Sequence, residues 1–168
     1  MKKIILLFAI LFASSIQAQT DIRVYDIINN VSTERIKNDI TTLANFGTRH
    51  TLSDTVSKTR GIGAARRWIK SEFDKVSSNC NNCLDVFYQQ DLVKKGTNNR
   101  IVHDVMVVNV LAVQKGTKYP NRYIIMSGDI DSRVSTATDF TSDSPGANDN
   151  ASGMAGTIEA SRVLSKYK

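Results

Sequence analysis

The residues best suited to chemistry lie in one stretch, MSGDIDSRVSTATDFTSDSPGANDNASG, from Met126 to Gly153. It holds five aspartates and neither lysine nor histidine, in a chain whose net charge is +6. Asp129 and Asp131 stand two residues apart directly after the apolar run YIIMSG. Asp149 follows in a Pro-Gly-Ala-Asn turn at the entrance to a helical pattern, where a carboxylate also gains from the helix N-terminus. Clustered carboxylates repel one another unless a cation sits among them. Three readings are open: a solvated acidic loop, a calcium loop, or part of a metal-dependent active site. The calcium spacing D-x-[DN]-x-[DN]-G does not occur, and no glutamate closes such a loop. The metal-site reading gains from position, because ligands in open α/β sheets bind beyond the carboxyl ends of strands.

The elements that must position these aspartates can be read from periodicity. Residues 21–46 read as helix, with Ile36, Ile40, Leu43 and Phe46 at helical spacing and Gly47 as the stop. GTRHTLSD (47–54) reads as a loop. A second helix is expected over about 56–76, with Ile62, Ala65, Ile69, Phe73 and Val76 on one face and Arg66, Arg67 and Lys70 largely on the other. LDVFYQQDL (84–92) alternates like a strand, and residues 101–116 are rich in β-branched residues, as in a central strand. YIIMSG (123–128) reads as a short strand buried on both faces. Ala151, Met154, Ala155, Ile158 and Leu164 mark a last helix, on which Glu159 is expected at the surface. The order helix, helix, three strands, helix predicts an α/β sheet with helices packed on it. Three strands alone leave a sheet edge and an apolar face uncovered, which calls for a longer native chain or a partner.

Bulk features narrow the class. At 168 residues, the chain is long enough for one domain with a modest core. Residues 1–18 read as a secretory signal peptide: Lys2 and Lys3, an apolar run from Ile4 to Ala13, then small or polar residues to Ala18. The run is short for a membrane span. The expected location is therefore secreted or periplasmic, with no membrane association after cleavage. Without that segment the charge falls from +6 to +4. The remaining Lys and Arg are scattered, with no basic stripe interleaved with aromatics, so nucleic acid is not an expected partner. Cys80 and Cys83, in SSNCNNCLD, are expected to form a small disulfide loop in an exported protein. A zinc ribbon would need a second CxxC. GIGAAR (61–66) lacks the third glycine of a nucleotide loop and lies inside a helical pattern.

One likeness sharpens the reading. Gly128-Asp129-Ile130-Asp131-Ser132, followed by Pro145-Gly146-Ala147-Asn148-Asp149-Asn150-Ala151-Ser152-Gly153, resembles the first half of the M28 family of zinc aminopeptidases. Their motif is a strand ending in Gly-His-x-Asp-Ser, then a loop to Gly-Ala-Asn-Asp-x-Ser-Gly opening a helix. FGTRHT, GIGAARRWIKSEF and NVLAVQKGT are similar to the family's N-terminal helices and second strand. The resemblance implies an α/β fold with a mostly parallel, mixed sheet and helices on both faces, residues 19–168 being the N-terminal portion of such a domain. It implies two zinc ions bridged by the carboxylate matching Asp149, with Asp129 at a metal-ligand position. It places Asp131 among the catalytic residues, orienting the first ligand. It implies a peptide or protein substrate, with a glutamate elsewhere as general base.

Two departures follow from the same comparison. The family's histidine ligand is Asp129 here, which adds negative charge and favours a harder ion such as manganese beside zinc. The paired glutamates, a further aspartate and the last histidine of the family site match no residue of this chain, and His50 and His103 do not match metal positions. The expected function is a secreted, metal-dependent aminopeptidase, present as a portion without activity of its own. Alternatives are a non-catalytic binding module of the same fold and a glutaminyl cyclase.

Overall fold

The computed structural model describes residues 21–167; the expected signal peptide lies outside the described residues. The chain divides into two compact units between Val31 and Ser32. In the first, α1 (Ile22–Asn30) is capped by Asp21, whose carboxylate accepts from the Arg23 N–H at 3.0 Å. The helix expected over 21–46 is therefore two helices. Ser32 starts the second, α2 (Thr33–Ala44), by accepting from the Arg35 N–H at 3.2 Å, and Glu34 sits in its first turn where the helix dipole favours an acid. A second cap inside one apolar pattern is why the break escaped periodicity.

The loop over 47–60 leads to α3 (Gly61–Asn79), which begins later than the expected 56. The Ser53 hydroxyl accepts from the Ile62 N–H at 2.9 Å and so satisfies one open donor of the first turn. Ile62, Ala65, Ile69, Phe73 and Val76 are all buried, as their spacing predicts. Arg66 is a correction: it is buried too, and its Nη1 reaches the Met106 carbonyl at 3.4 Å. The helix ends at the Cys80–Cys83 disulfide, with Asn81 and Asn82 in left-handed conformation between the cysteines. Ser77 then ties helix to strand, its hydroxyl donating to the Leu84 carbonyl at 2.8 Å.

Strand β1 (Leu84–Val93) pairs antiparallel with β2 (Val105–Gln114), from Leu84 opposite Gln114 to Val93 opposite Val105. Val86, Val110 and Ala112 lie on the core side, against Ile69 and Phe73 of α3 and Met154 and Ile158 of the last helix, α4 (Ser152–Leu164). The fold is thus α/β, and among the described residues its sheet is a two-stranded antiparallel ladder without the third expected strand. The expected strand at 123–128 is irregular and joins no ladder, with Ile124 97% and Ile125 87% exposed. A strand buried on both faces needs hydrogen-bonded neighbours along its edges, and among the described residues no ladder reaches 123–128.

Three helices meet through charge as well as apolar contact. Glu159 is 2% exposed, which corrects its expected surface position. It accepts from the Ser32 N–H at 2.8 Å and from Arg35 at 2.8 and 2.5 Å. Arg162, one turn on, binds Asp39 of α2 at 2.6 Å and Glu72 of α3 at 2.7 Å. These carboxylates hold the Arg162 guanidinium well above its ordinary value in spite of burial.

Candidate metal centre

The acidic stretch is positioned from the core outward. Ile130 is part-buried against the apolar cluster, while Asp129 and Asp131 on either side of it are exposed. This alternation brings two carboxylates i, i+2 to one side, as an extended backbone must. Gly128 allows the close approach: a Cβ there would stand 2.6 Å from the Met154 nitrogen and 2.7 Å from the Gly153 carbonyl carbon. The residue before Asp129 is therefore pressed onto the first turn of α4.

The second acidic loop arrives through a widened, π-type turn, Ala147–Ala151. Gly146 opens it with φ +50°, and a Cβ there would meet the Asp149 carbonyl oxygen and the Ser132 Cβ at 2.5 Å each. The Ala151 N–H donates to the Gly146 carbonyl at 3.0 Å. Asn150 serves the helix, its side-chain oxygen accepting from the Gly153 N–H at 2.8 Å. Asp149, exposed and with non-helical backbone, makes no such bond, and the Asp149–Asn150 peptide is cis.

Asp129, Asp131 and Asp149 line one cavity of about 290 Å³ together with Arg133, Val134 and Ser135. Three carboxylates against one guanidinium leave the cavity negative, and Arg133 spends its own hydrogen bond on the Val134 carbonyl at 3.3 Å. Among the described residues no hydrogen bond or salt bridge reaches any of the three carboxylates. A charged, unpaired oxygen set open to solvent fits a divalent cation. Among the described residues, however, no three His, Cys, Asp or Glu converge on a single ion. An ion here takes its remaining ligands from water or from groups beyond these.

Neither histidine contributes. His50 is buried, its Nδ1 accepting from the Leu52 N–H at 3.0 Å and its Nε2 facing the Ala137 carbonyl at 3.1 Å. With Nδ1 an acceptor, Nε2 carries the proton and donates, so no lone pair is left for a metal. His103 is exposed and stands edge-on to Phe140.

Sequence reasoning missed the residues that tie the acidic loops together. Thr48 and Ser144 form an isolated parallel bridge, with their hydroxyls 2.9 Å apart. The Ser132 hydroxyl donates to the Ser144 carbonyl at 2.6 Å and accepts from the Arg49 N–H at 3.0 Å. The Arg49 side chain is buried beneath both loops. Burial pushes its guanidinium below the ordinary value and the Asp131 charge pulls it back up. A single Arg in FGTRHT has no period or partner spacing that could have marked it.

Comparison with known proteins agrees with the likeness seen in the sequence. Residues 109–168 match the family model described as peptidase family M28. Three relatives have names that begin "Probable zinc metalloprotease". The one from Pyrenophora teres f. teres is 45% identical over 142 residues, covering 84% of this chain and 29% of the relative. The one from Leptosphaeria maculans is 41% identical over 142 residues, covering 84% and 32%. The one from Pyricularia oryzae is 39% identical over 137 residues, covering 82% and 27%. The chain thus spans less than a third of the length of these relatives. No solved structure matches it.

Proposed function

We propose, from the premise that the chain carries the signature of peptidase family M28, that it is the N-terminal portion of a secreted metallopeptidase removing residues from peptide N-termini. The single observation that supports this most is the shared cavity of Asp129, Asp131 and Asp149, three unpaired carboxylates brought together from two loops. Asp129 and Asp149 are the metal ligands in this reading. Asp131, beside them and near the Arg49 charge, orients the set. A bound zinc supplies Lewis-acid polarisation of the scissile carbonyl and makes the attacking water more acidic. The carboxylates hold the cation, and the open face of the cavity leaves room for a peptide end. A second zinc, which Asp149 would help to hold, or manganese in place of zinc, belongs to the same proposal, since an all-oxygen set suits harder ions as well.

The chain by itself is inactive on this reading, because no glutamate is free to act as base in the cavity. It has three glutamates. Glu72 and Glu159 are bound in the Arg162 network, and Glu34 occupies the first turn of α2. The test is turnover of aminoacyl-anilide substrates with added zinc. The 168-residue chain should give none. The full-length protein should release N-terminal residues and lose that activity in Asp149→Asn. Chelator-sensitive turnover by the short chain would refute its inactivity. Full activity in Asp149→Asn would refute the ligand assignment.

A further inference from the structure

Arg49 is 1% exposed, yet among the described residues no carboxylate is hydrogen-bonded to its side chain. A buried guanidinium is costly unless its donors are satisfied. Among the described residues all of its side-chain bonds go to main-chain carbonyls. Nε donates to the Ile130 carbonyl at 2.9 Å. Nη1 donates to the Leu43 carbonyl at 2.8 Å and to the Pro145 carbonyl at 2.6 Å. Nη2 donates to the Gly146 carbonyl at 3.0 Å. Ile130 lies between Asp129 and Asp131, and Gly146 opens the turn that carries Asp149. One planar fork therefore holds both acidic loops against the end of α2. The Arg49 backbone adds a second tie, through the Ser132 hydroxyl to the Ser144 carbonyl.

We infer that Arg49, with Ser132, is a positioning clamp that sets the separation of Asp129 and Asp149 for metal binding. The inference rests on the reading of those two aspartates as ligands. The fork geometry matters as much as the charge. Lysine has a single ammonium and cannot reach carbonyls on three segments at these angles. The buried cation beside Asp131 also offsets part of the repulsion among the three carboxylates before any metal arrives.

The experiment is calorimetric titration of zinc into the wild-type chain, Arg49→Lys, Arg49→Gly and Ser132→Ala, with thermal melting of each in parallel. The expected result is zinc affinity weakened about tenfold or more in folded Arg49→Lys, the scale of supporting groups around metal ligands, and a smaller loss in Ser132→Ala. Added guanidinium should restore part of the affinity of Arg49→Gly. A purely structural arginine would lower the melting temperature and leave the zinc affinity of the folded variant unchanged, which overturns the clamp. If Arg49→Lys does not fold, Ser132→Ala decides, and wild-type affinity there overturns the clamp equally. A wild-type chain that binds no zinc overturns the clamp together with its premise, whereas binding that is equal in wild type and variants overturns the clamp alone.

Discussion

Replacing Glu159 by glutamine keeps the shape of the side chain and removes its charge from a buried junction of α2, α3 and α4. The oxygen that accepts from the Ser32 N–H can be kept, so that bond should survive. The paired bonds from Arg35, at 2.8 and 2.5 Å, lose their ionic character, and one of them loses its acceptor. Removing one partner from a buried ion pair costs about 3–5 kcal/mol where the other charge is left stranded. That range must be reduced here. The Arg35 side chain is 46% exposed and can rehydrate, and Arg162 still has Asp39 and Glu72. About 2–3 kcal/mol remains, the scale of one or two hydrogen bonds to a charged group.

In a domain of this size that loss lowers the melting temperature by about 6–12 °C. The pH dependence provides an internal control. Burial pushes the Glu159 carboxyl up, but Arg35, the Ser32 N–H and Arg162 together hold it below its ordinary value. A depressed folded-state value means stability that is fully present above the unfolded value of about 4.5 and lost as pH falls through the folded one. The melting gap between wild type and Glu159→Gln should therefore be widest near neutrality and close at acid pH. Melting curves between about pH 7 and pH 3 measure both. A gap under about 2 °C at neutrality, or one that stays constant into acid, refutes the assignment of Glu159 as a charged structural anchor.

Other perturbations separate site from scaffold. Asp149→Asn should abolish zinc binding by calorimetry while leaving the melting temperature of the metal-free chain unchanged or higher, because one of three repelling charges is gone. If Asp129 is a ligand as proposed, Asp129→His, which supplies the ligand type that the resemblance implies, should tighten zinc relative to manganese by about tenfold or more in competition titrations. Gly63→Ala should destabilise by about 2–4 kcal/mol in denaturant melts, since a Cβ there would lie 2.2 Å from the Thr55 carbonyl oxygen, and backbone rather than a flexible side chain must move. Reduction of Cys80–Cys83 should cost only about 2 kcal/mol, the loop-closure value for so short a ring.

The parts of this fold that were legible in the sequence are those set by local rules. The α3 stripe, the two strands of the hairpin and the CxxC loop each follow from spacing within one segment. The aspartate triplet was legible for the same reason: an i, i+2 pair after an apolar run, then an acid at a helix entrance. Features that depend on distant segments were not legible. Glu159 and Arg66 look like surface residues within their own helices. Glu159 is buried because Arg35 and Ser32 come over it from α2, and Arg66 because the Met106 carbonyl of β2 lies over it. The run 123–128 has the composition of an inner strand, but composition does not supply a hydrogen-bonding neighbour.

That last mismatch bears on how the site is held. A ligand-bearing loop at a strand end usually takes its position from the ladder behind it, yet 123–128 joins none among the described residues. The acidic loop is nevertheless fixed at three points that need no ladder. Gly128 presses on the first turn of α4, Ile130 enters the core, and the Ile130 carbonyl is held by Arg49. The same arginine holds the turn that carries Asp149. Both halves of the carboxylate set are therefore referenced to the helices, through α4 and the end of α2, rather than to the sheet. It follows that substitutions at the exposed Ile124 and Ile125 should leave zinc affinity unchanged, whereas a polar residue at Ile130 should weaken it by releasing the middle anchor between Asp129 and Asp131.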